Sequence, residues 1–409
     1  MVDRILIVGA GQAAAQAIDT LRKKGFKGTL TLVGAEPHLP YQRPPLSKKY
    51  LSGALEMERL LIRPAHFYAE HGVETRLGRR AELIDRERRS VRLDDGQSVG
   101  YDLLLLTTGS TPRRMVTPGA NLAGVHYLRT IGDVARIRPD FVTGKRLVIV
   151  GGGYIGLEVA ATAREQGLEV TVLEMADRVM NRVTCEEVSA FYQAEHAKHG
   201  VRIVCNARVE ALHGTGHGPG ARVRAVLCAD GSEYPADLVV AGIGVVPEDQ
   251  LARDAGLDCE NGIVVDQHCR TSDPHIFAAG DCTNHPSIHY GRRMRLESVD
   301  NAFEQGASAA LNMLGIPTPH DKVPWFWSDQ YDLKMIIIGV STGFDSIVIR
   351  GSPAARSFAA CYLFRGEIIA VDTVNNPKDQ MAARKLVAAR ARPDPAKLAD
   401  PAVALKDCL

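Results

Sequence analysis

The feature that most constrains this chain is an internal repeat. Residues 5–36 read ILIVGAGQAAAQAIDTLRKKGFKGTLTLVGAE, and residues 147–174 read LVIVGGGYIGLEVAATAREQGLEVTVLE. Each opens with an apolar run of the kind needed by a strand buried on both faces. A glycine turn and an alanine-rich helical stretch follow, then a glycine that stops the helix (Gly25, Gly167). A second β-rich run ends each unit at an acid, Glu36 or Glu174. Two βαβ units of this form predict an α/β chain with two dinucleotide sites.

The residue types follow from the chemistry. Gly9 and Gly151 permit the tight strand-to-helix turn. Gly11 and Gly153 remove a side chain where backbone must approach a pyrophosphate, and Ala14 and Gly156 let the helix pack closely. The first unit departs from GxGxxG at Ala14, a substitution the turn tolerates. One such match is a weak signal, since many tight turns bind nothing; two, each with helix, strand and acid in order, are far more specific. Glu36 lies 27 residues after Gly9, against 23 for Glu174 after Gly151. A carboxylate at Glu174 pairs with a ribose 2′-OH and repels a 2′-phosphate, which favours NADH over NADPH; Arg178 is the one nearby counter-charge. Residues 102–113 (DLLLLTTGSTPR) and 237–247 (DLVVAGIGVVP) form matching strand ends. Residues 271–282 (TSDPHIFAAGDC) bring Asp281 to the end of a short strand, where a carboxylate can hold a ribityl hydroxyl.

The whole chain removes other classes. It has 409 residues, 45% hydrophobic and 24% charged, as in an ordinary globular protein with room for two or three domains. Its net charge of +1 gives no reason to expect nucleic acid. No apolar run reaches the roughly 20 residues that span a bilayer, and MVDRILIVGAG enters a strand at once rather than forming a signal peptide. A cytoplasmic protein without membrane partners is expected. The eight cysteines all lie at or beyond residue 185 and form no CxxC or CxxxxC pair, so reduced thiols are expected.

The segments RPPLSK (43–48), GGGYIGLEVAATA (151–163), RVTCEEVSAFY (182–192), LESVDNA (296–302) and PWFWSDQY (324–331) carry a resemblance over nearly the whole chain. It resembles the FAD-dependent pyridine nucleotide–disulfide reductase superfamily and, within it, the NADH-dependent ferredoxin reductases of bacterial oxygenase systems. The resemblance implies a glutathione-reductase-like α/β fold with two Rossmann-like domains and a C-terminal α/β domain. The implied FAD-binding domain comprises residues 1–112 and 240–320, the NADH-binding domain 113–239 and the C-terminal domain 321–409. It implies FAD contacts at Gly9, Gly11, Ala13, Ala14, Glu36, Arg43, Lys48, Ala81, Arg129, Asp281 and Val299. NADH contacts are implied at Gly151, Gly153, Ile155, Gly156, Glu158 and Glu174, with Gly244 nearby. Lys48, paired with Glu158, would lie near flavin N5, and Trp327 near the flavin edge and the docking face. Pro44 and Pro45 would stiffen a platform under the flavin.

Disulfide reductases of the superfamily carry a CxxxxC pair where this chain reads YQRPPLSKKY (41–50). With no thiol there, electrons are expected to leave the flavin directly for a [2Fe–2S] ferredoxin, with a cytochrome P450 favoured over a Rieske dioxygenase as final acceptor. Ferredoxins of this class are acidic, which makes Arg292, Arg293 and Arg295 docking candidates. The competing readings are a thiol-free NADH oxidase and a redox-sensing NADH-binding flavoprotein resembling apoptosis-inducing factor. Cys282, His285 and His289 have metal-like spacing but lack a second ligand pair, so no metal is expected. His196 and His199 are expected on a solvated helix face, residues 76–92 as exposed hairpin faces, Trp325 in a core, and RPDPAKLADPAVALKDCL as a loosely packed tail.

Overall fold

The computed structural model describes residues 2–216 and 220–409. They group into two compact units. The first contains Met1–Gln42, Met57–Thr111 and Val245–Pro324; the second contains Arg43–Glu56, Pro112–Gly244 and Trp325–Leu409.

In the first unit five parallel strands run in the order Ile276–Ala278, Leu103–Leu106, Arg4–Val8, Thr29–Gly34, Val73–Leu77. Alternate side chains enter two cores: Ile5, Ile7, Leu103 and Leu105 on one face, Leu6, Val8, Leu104 and Leu106 on the other. A sheet covered on both faces needs such unbroken apolar runs, which is why these strands do not alternate with polar residues. The helix Gln12–Lys23 lies on one face and contacts the helix Val299–Met313. Their approach is set by Gly306, where an added Cβ would stand 2.5 Å from the Ala13 carbonyl oxygen. Strands Ala81–Asp85, Ser90–Leu93 and Ser98–Gly100 form a separate antiparallel sheet. The basic run 76–92 thus splits between the edge of the parallel sheet and this hairpin, with Arg79, Arg80, Arg88, Arg89 and Arg92 exposed.

The second unit repeats the pattern. Its parallel strands run in the order Arg202–Val204, Glu169–Leu173, Arg146–Val150, Leu238–Ala241, Val125–Tyr127. The helix Tyr154–Glu165 follows the glycine turn and stops before Gly167, whose φ of +79° is one that glycine adopts readily. A five-stranded antiparallel sheet follows, in the order Trp325–Gln330, Leu333–Gly339, Glu367–Val374, Ser357–Phe364, Ser346–Ser352. Leu333, Met335, Phe358 and Tyr362 of this sheet share a core with Leu157, Val188, Phe191 and Tyr192. Burying each such large apolar side chain is worth about 1.5–3 kcal/mol, so this contact is a principal tie within the unit.

Two expectations are corrected. His196 is fully buried, not solvated: its helix Glu186–Lys198 is covered on the Val188–Tyr192–His196 side. Only His199 stays exposed. The C-terminal tail is docked, not loose. Asp394 caps the helix Pro395–Ala399, and Leu398, Leu405 and Cys408 are buried. The buried Arg350 guanidinium collects the carbonyls of Asp400 and Val403 at 2.5 Å each and pairs with Asp379 at 2.9 Å. A proline- and alanine-rich sequence hid this, because the tail is held by a cation meeting backbone carbonyls. No helix among the described residues is long and apolar enough to cross a membrane, and all eight cysteines are free thiols.

Candidate functional site

Each unit builds a glycine cradle at the end of its central strand. In the first, Gly9 has φ +109°, and a Cβ there would meet the Thr107 carbonyl oxygen at 2.2 Å. Gly11 begins the helix, and a Cβ there would project into open space. No side chain caps this helix, and no acid lies in its first turn. Its leading N–H groups are therefore directed at whatever occupies that space, which suits a pyrophosphate. Ala13 and Ala14 are buried beneath the turn. Glu36, just past its strand, accepts from the Tyr41 hydroxyl at 2.6 Å. Asp281 follows the short strand Ile276–Ala278 and accepts from Ser110 Oγ at 2.8 Å. Gln305 braces that turn, its Oε1 accepting from Gly280 N at 2.8 Å and Thr283 Oγ1 at 2.9 Å. Val299 is the first helical residue after the Ser298 cap, and Ala81 opens its strand, half-buried. These carboxylates, bare glycines and uncapped helix end fit a dinucleotide such as FAD.

In the second unit Gly151 has φ +107°, and a Cβ there would stand 2.4 Å from the Gly242 carbonyl oxygen. A Cβ on Gly153 would meet nothing, whereas one on Gly156 would meet the Gly151 carbonyl oxygen at 2.1 Å. The helix that follows again lacks a side-chain cap and a first-turn acid, and Ile155 is exposed on it. Glu174 is fixed to the loop itself: its carboxylate accepts from Gly152 N at 2.6 Å and Ala176 N at 2.8 Å. The Arg178 guanidinium instead donates to the Thr184 carbonyl at 2.9 Å and Ser189 Oγ at 2.6 Å. Gly244 has φ +96° and its carbonyl accepts from Arg113 N at 2.9 Å. This cradle fits a second dinucleotide.

The second unit also holds the charged centre. Pro44 and Pro45 start a short 3-10 helix, Pro44–Ser47, that presents Lys48 at its end. Lys48 Nζ lies 2.6 Å from Glu158 Oε2, and both side chains are largely shielded, at 18% and 6% exposure. Ser47 Oγ donates to the same carboxylate oxygen at 2.6 Å, and Ser328 Oγ donates to Glu158 Oε1 at 2.7 Å. Thr162 Oγ1 donates to the Ser47 carbonyl at 2.9 Å, tying the segment to the helix. Arg43 Nη1 donates to the Arg129 carbonyl at 2.7 Å. On the strand Trp325–Gln330, Phe326, Ser328 and Gln330 share one face, where Phe326 packs on Tyr154 at 4.7 Å. Trp327 is on the other, its ring 5.5 Å from that of Trp325, over which Arg384 sits at 4.4 Å.

Of the residues assigned to FAD by resemblance, Arg43, Lys48 and Arg129 lie in the second unit and the rest in the first. Lys48 and Glu158 are brought together. In the arginine trio, Arg293 donates to the Val265 carbonyl at 2.6 Å and Arg295 pairs with Glu297 at 2.5 Å, while Arg292 and Arg293 are both exposed. Sequence reasoning missed Ser47, Ser328, Tyr41, Ser110 and Gln305. The period-2 alternation in PWFWSDQY was a signal for Ser328 and Gln330; Tyr41, Ser47 and Ser110 lie in or beside quoted segments, but nothing local shows which distant acceptor a hydroxyl meets.

Three comparisons bear on this geometry. A family model described as pyridine nucleotide-disulphide oxidoreductase matches residues 3–306, and one described as reductase C-terminal matches residues 325–409. The rhodocoxin reductase of Rhodococcus erythropolis is 42% identical over 97% of this chain and 92% of its own. The anthranilate 1,2-dioxygenase system ferredoxin–NAD(+) reductase component of Burkholderia cepacia is 41% identical over 100% and 99%. The reductase in the crystal structure of the covalent putidaredoxin reductase–putidaredoxin complex is 42% identical, with a TM-score of 0.95 over 99% of this chain and 98% of that one. With two glycine cradles and a C-terminal sheet matched end to end, this chain belongs to the pyridine nucleotide-disulphide oxidoreductase family.

Proposed function

We propose that this chain is an NADH-dependent ferredoxin reductase that binds FAD and supplies single electrons to a [2Fe–2S] ferredoxin serving an oxygenase. The observation that carries the reading is the shielded Lys48–Glu158 pair in a two-cradle chain whose first 184 residues contain no thiol. FAD, when bound, takes the two electrons of a hydride together and releases them one at a time. Gly9, Gly11 and the first helix end would hold its pyrophosphate, with Glu36 and Asp281 as hydroxyl acceptors. Gly151, Gly153 and Gly156 would hold that of NADH. The choice of NADH over NADPH is supported by Glu174, held at the loop with Arg178 turned elsewhere, since a lone carboxylate repels a 2′-phosphate.

By the resemblance, Lys48 would contribute positive charge toward a bound flavin ring, and Glu158 would keep the ammonium oriented. Trp327, on the outer strand face, is proposed to take part in the docking surface, with Arg292 contributing charge toward an acidic ferredoxin. The division into FAD, NADH and C-terminal domains follows the residues assigned above. Eight free cysteines suit the reducing cytoplasm, where we place the reaction. A relative whose name specifies a dioxygenase system is 41% identical over the full chain, so the preference for a P450 rests on the PWFWSDQY and LESVDNA segments.

The test is NADH-driven reduction of ferredoxins from P450 and dioxygenase systems by the purified yellow protein, with NADPH as control. Turnover with ferredoxin well above that with O₂ is expected. Turnover with O₂ alone would replace the reading by a thiol-free oxidase, and a long-lived reduced complex by a redox sensor.

A further inference from the structure

A chain of hydrogen bonds leaves Glu158 on the side away from Lys48. Ser328 Oγ donates to Glu158 Oε1 at 2.7 Å, and Gln330 Nε2 lies 3.1 Å from Ser328 Oγ. Gln330 Oε1 lies 2.8 Å from His196 Nε2, and His196 Nδ1 lies 3.1 Å from the Tyr331 hydroxyl. Ser328, Gln330 and His196 are each at most 1% exposed. The chain surfaces at Tyr331, whose ring stacks on His199 at 3.7 Å and 10°. Every member belongs to the second unit.

The directions of the bonds from Glu158 to His196 are forced. An ionised carboxylate only accepts, so the single Ser328 hydrogen goes to Glu158. Ser328 Oγ must then accept, so the Gln330 amide turns its nitrogen inward and its oxygen to His196. That oxygen needs an N–H, which His196 Nε2 supplies; when the ring is neutral, Nδ1 is left to accept from Tyr331. Burial, which lowers the His196 pKa to about 4, agrees with a neutral ring. An amide in the middle makes this a row of aligned dipoles rather than a proton path, and aligned bonds strengthen one another in a dry interior.

We propose that Ser328, Gln330 and His196 are positioning residues: they hold Glu158 Oε1 from the C-terminal sheet, so that Oε2 stays on Lys48 and the ammonium keeps one orientation. The two serines differ in this. Ser47 shares the Lys48 side of the carboxylate, whereas Ser328 alone fixes the opposite oxygen among the described residues. The proposal rests on the ferredoxin reductase reading only for the use made of Lys48.

The first test is made on the wild-type holoprotein. Its ¹⁵N-histidine NMR spectrum at pH 7, with His196 assigned by His196→Gln, should show Nε2 protonated and Nδ1 bare. A charged ring or an Nδ1–H tautomer would overturn the proposal, whatever the protein reduces. The second test is rapid-mixing reduction by NADH. Ser328→Ala should slow flavin reduction roughly tenfold to a hundredfold with the NADH dissociation constant nearly unchanged, as when an orienting partner is lost. Ser328→Thr, which retains the hydroxyl, should recover most of the rate. A folded, FAD-loaded Ser328→Ala protein that reduces at the wild-type rate would also overturn it. Should that variant not fold, the tautomer measurement still decides. Failure of ferredoxin turnover would touch neither test.

Discussion

The two glycine cradles descend from one pattern but differ at matching positions. Ala14 occupies the place of Gly156, and Gln16 the place of Glu158. Among the described residues, Gln16 Nε2 reaches only Thr20 Oγ1, 3.0 Å away in its own helix. Glu158 instead gathers a lysine and two serines from separate stretches of chain. The acids differ in the same way: Glu36 is held by a tyrosine hydroxyl, Glu174 by backbone N–H groups of its own loop. A βαβ unit therefore supplies a dinucleotide scaffold in both places, and a single charged position on the second helix adds the chemistry.

The largest break in this comparison should come from Gly156→Ala. Its Cβ would need to displace a carbonyl oxygen 2.1 Å away, a cost of about 2–3 kcal/mol by overpacking, seen as a lower Tm and lost NADH binding. Ala14→Gly in the first cradle should cost only about 1 kcal/mol. Next is Lys48→Met. It leaves a largely buried carboxylate without its cation, still held by two serines, and should slow flavin reduction or shift the flavin potential in stopped-flow and redox titration. Gln16→Ala should change stability by less than about 0.5 kcal/mol.

The pH dependence sharpens the contrast between buried groups. Burial raises the Asp372 carboxyl from 3.8 to about 7, while Oδ2 accepts from Tyr362 and Thr184. The folded state holds this proton more tightly, so the associated stability is present below 3.8 and lost as pH rises through about 7. Each tenfold gain in proton affinity is worth about 1.4 kcal/mol. Asp372→Asn should flatten that limb in melts from pH 4 to 8. Histidines behave oppositely. His196 falls from 6.5 to about 4 and His285 in the first unit from 6.5 to about 3, both through burial. Their contribution is complete above 6.5 and lost as pH falls through those values, so acid should weaken the first unit through His285, while in the second the loss at His196 opposes the gain at Asp372. Glu174→Gln should act on cofactor choice rather than stability: about a tenfold drop in NADH-over-NADPH preference in steady-state assays, or about 1.4 kcal/mol.

Much of this was legible in the chain. The apolar strands, the glycine turns and their acids are local patterns, and each has one backbone solution. Lys48 and Glu158 were within reach because both lie in recognisable segments. The burial of His196 was not legible, because its helix has polar residues all round and only the antiparallel sheet and Tyr331 decide which face is covered. Nor was the docking of the tail, because Arg350, some fifty residues away, supplies the donors its carbonyls need.

By itself the sequence determined two dinucleotide cradles, the absence of a thiol beside the first, and a third segment unlike either. Those depend on backbone conformations that glycine, alanine and β-branched runs dictate over a few residues. Tertiary structure alone decided that Glu158 meets Lys48 on one oxygen and Ser328 on the other, with Gln330 and His196 behind. Hydrogen-bond direction depends on which donors lie within about 3 Å of an acceptor, and residues 48, 158, 196 and 328 become neighbours only after the chain has folded.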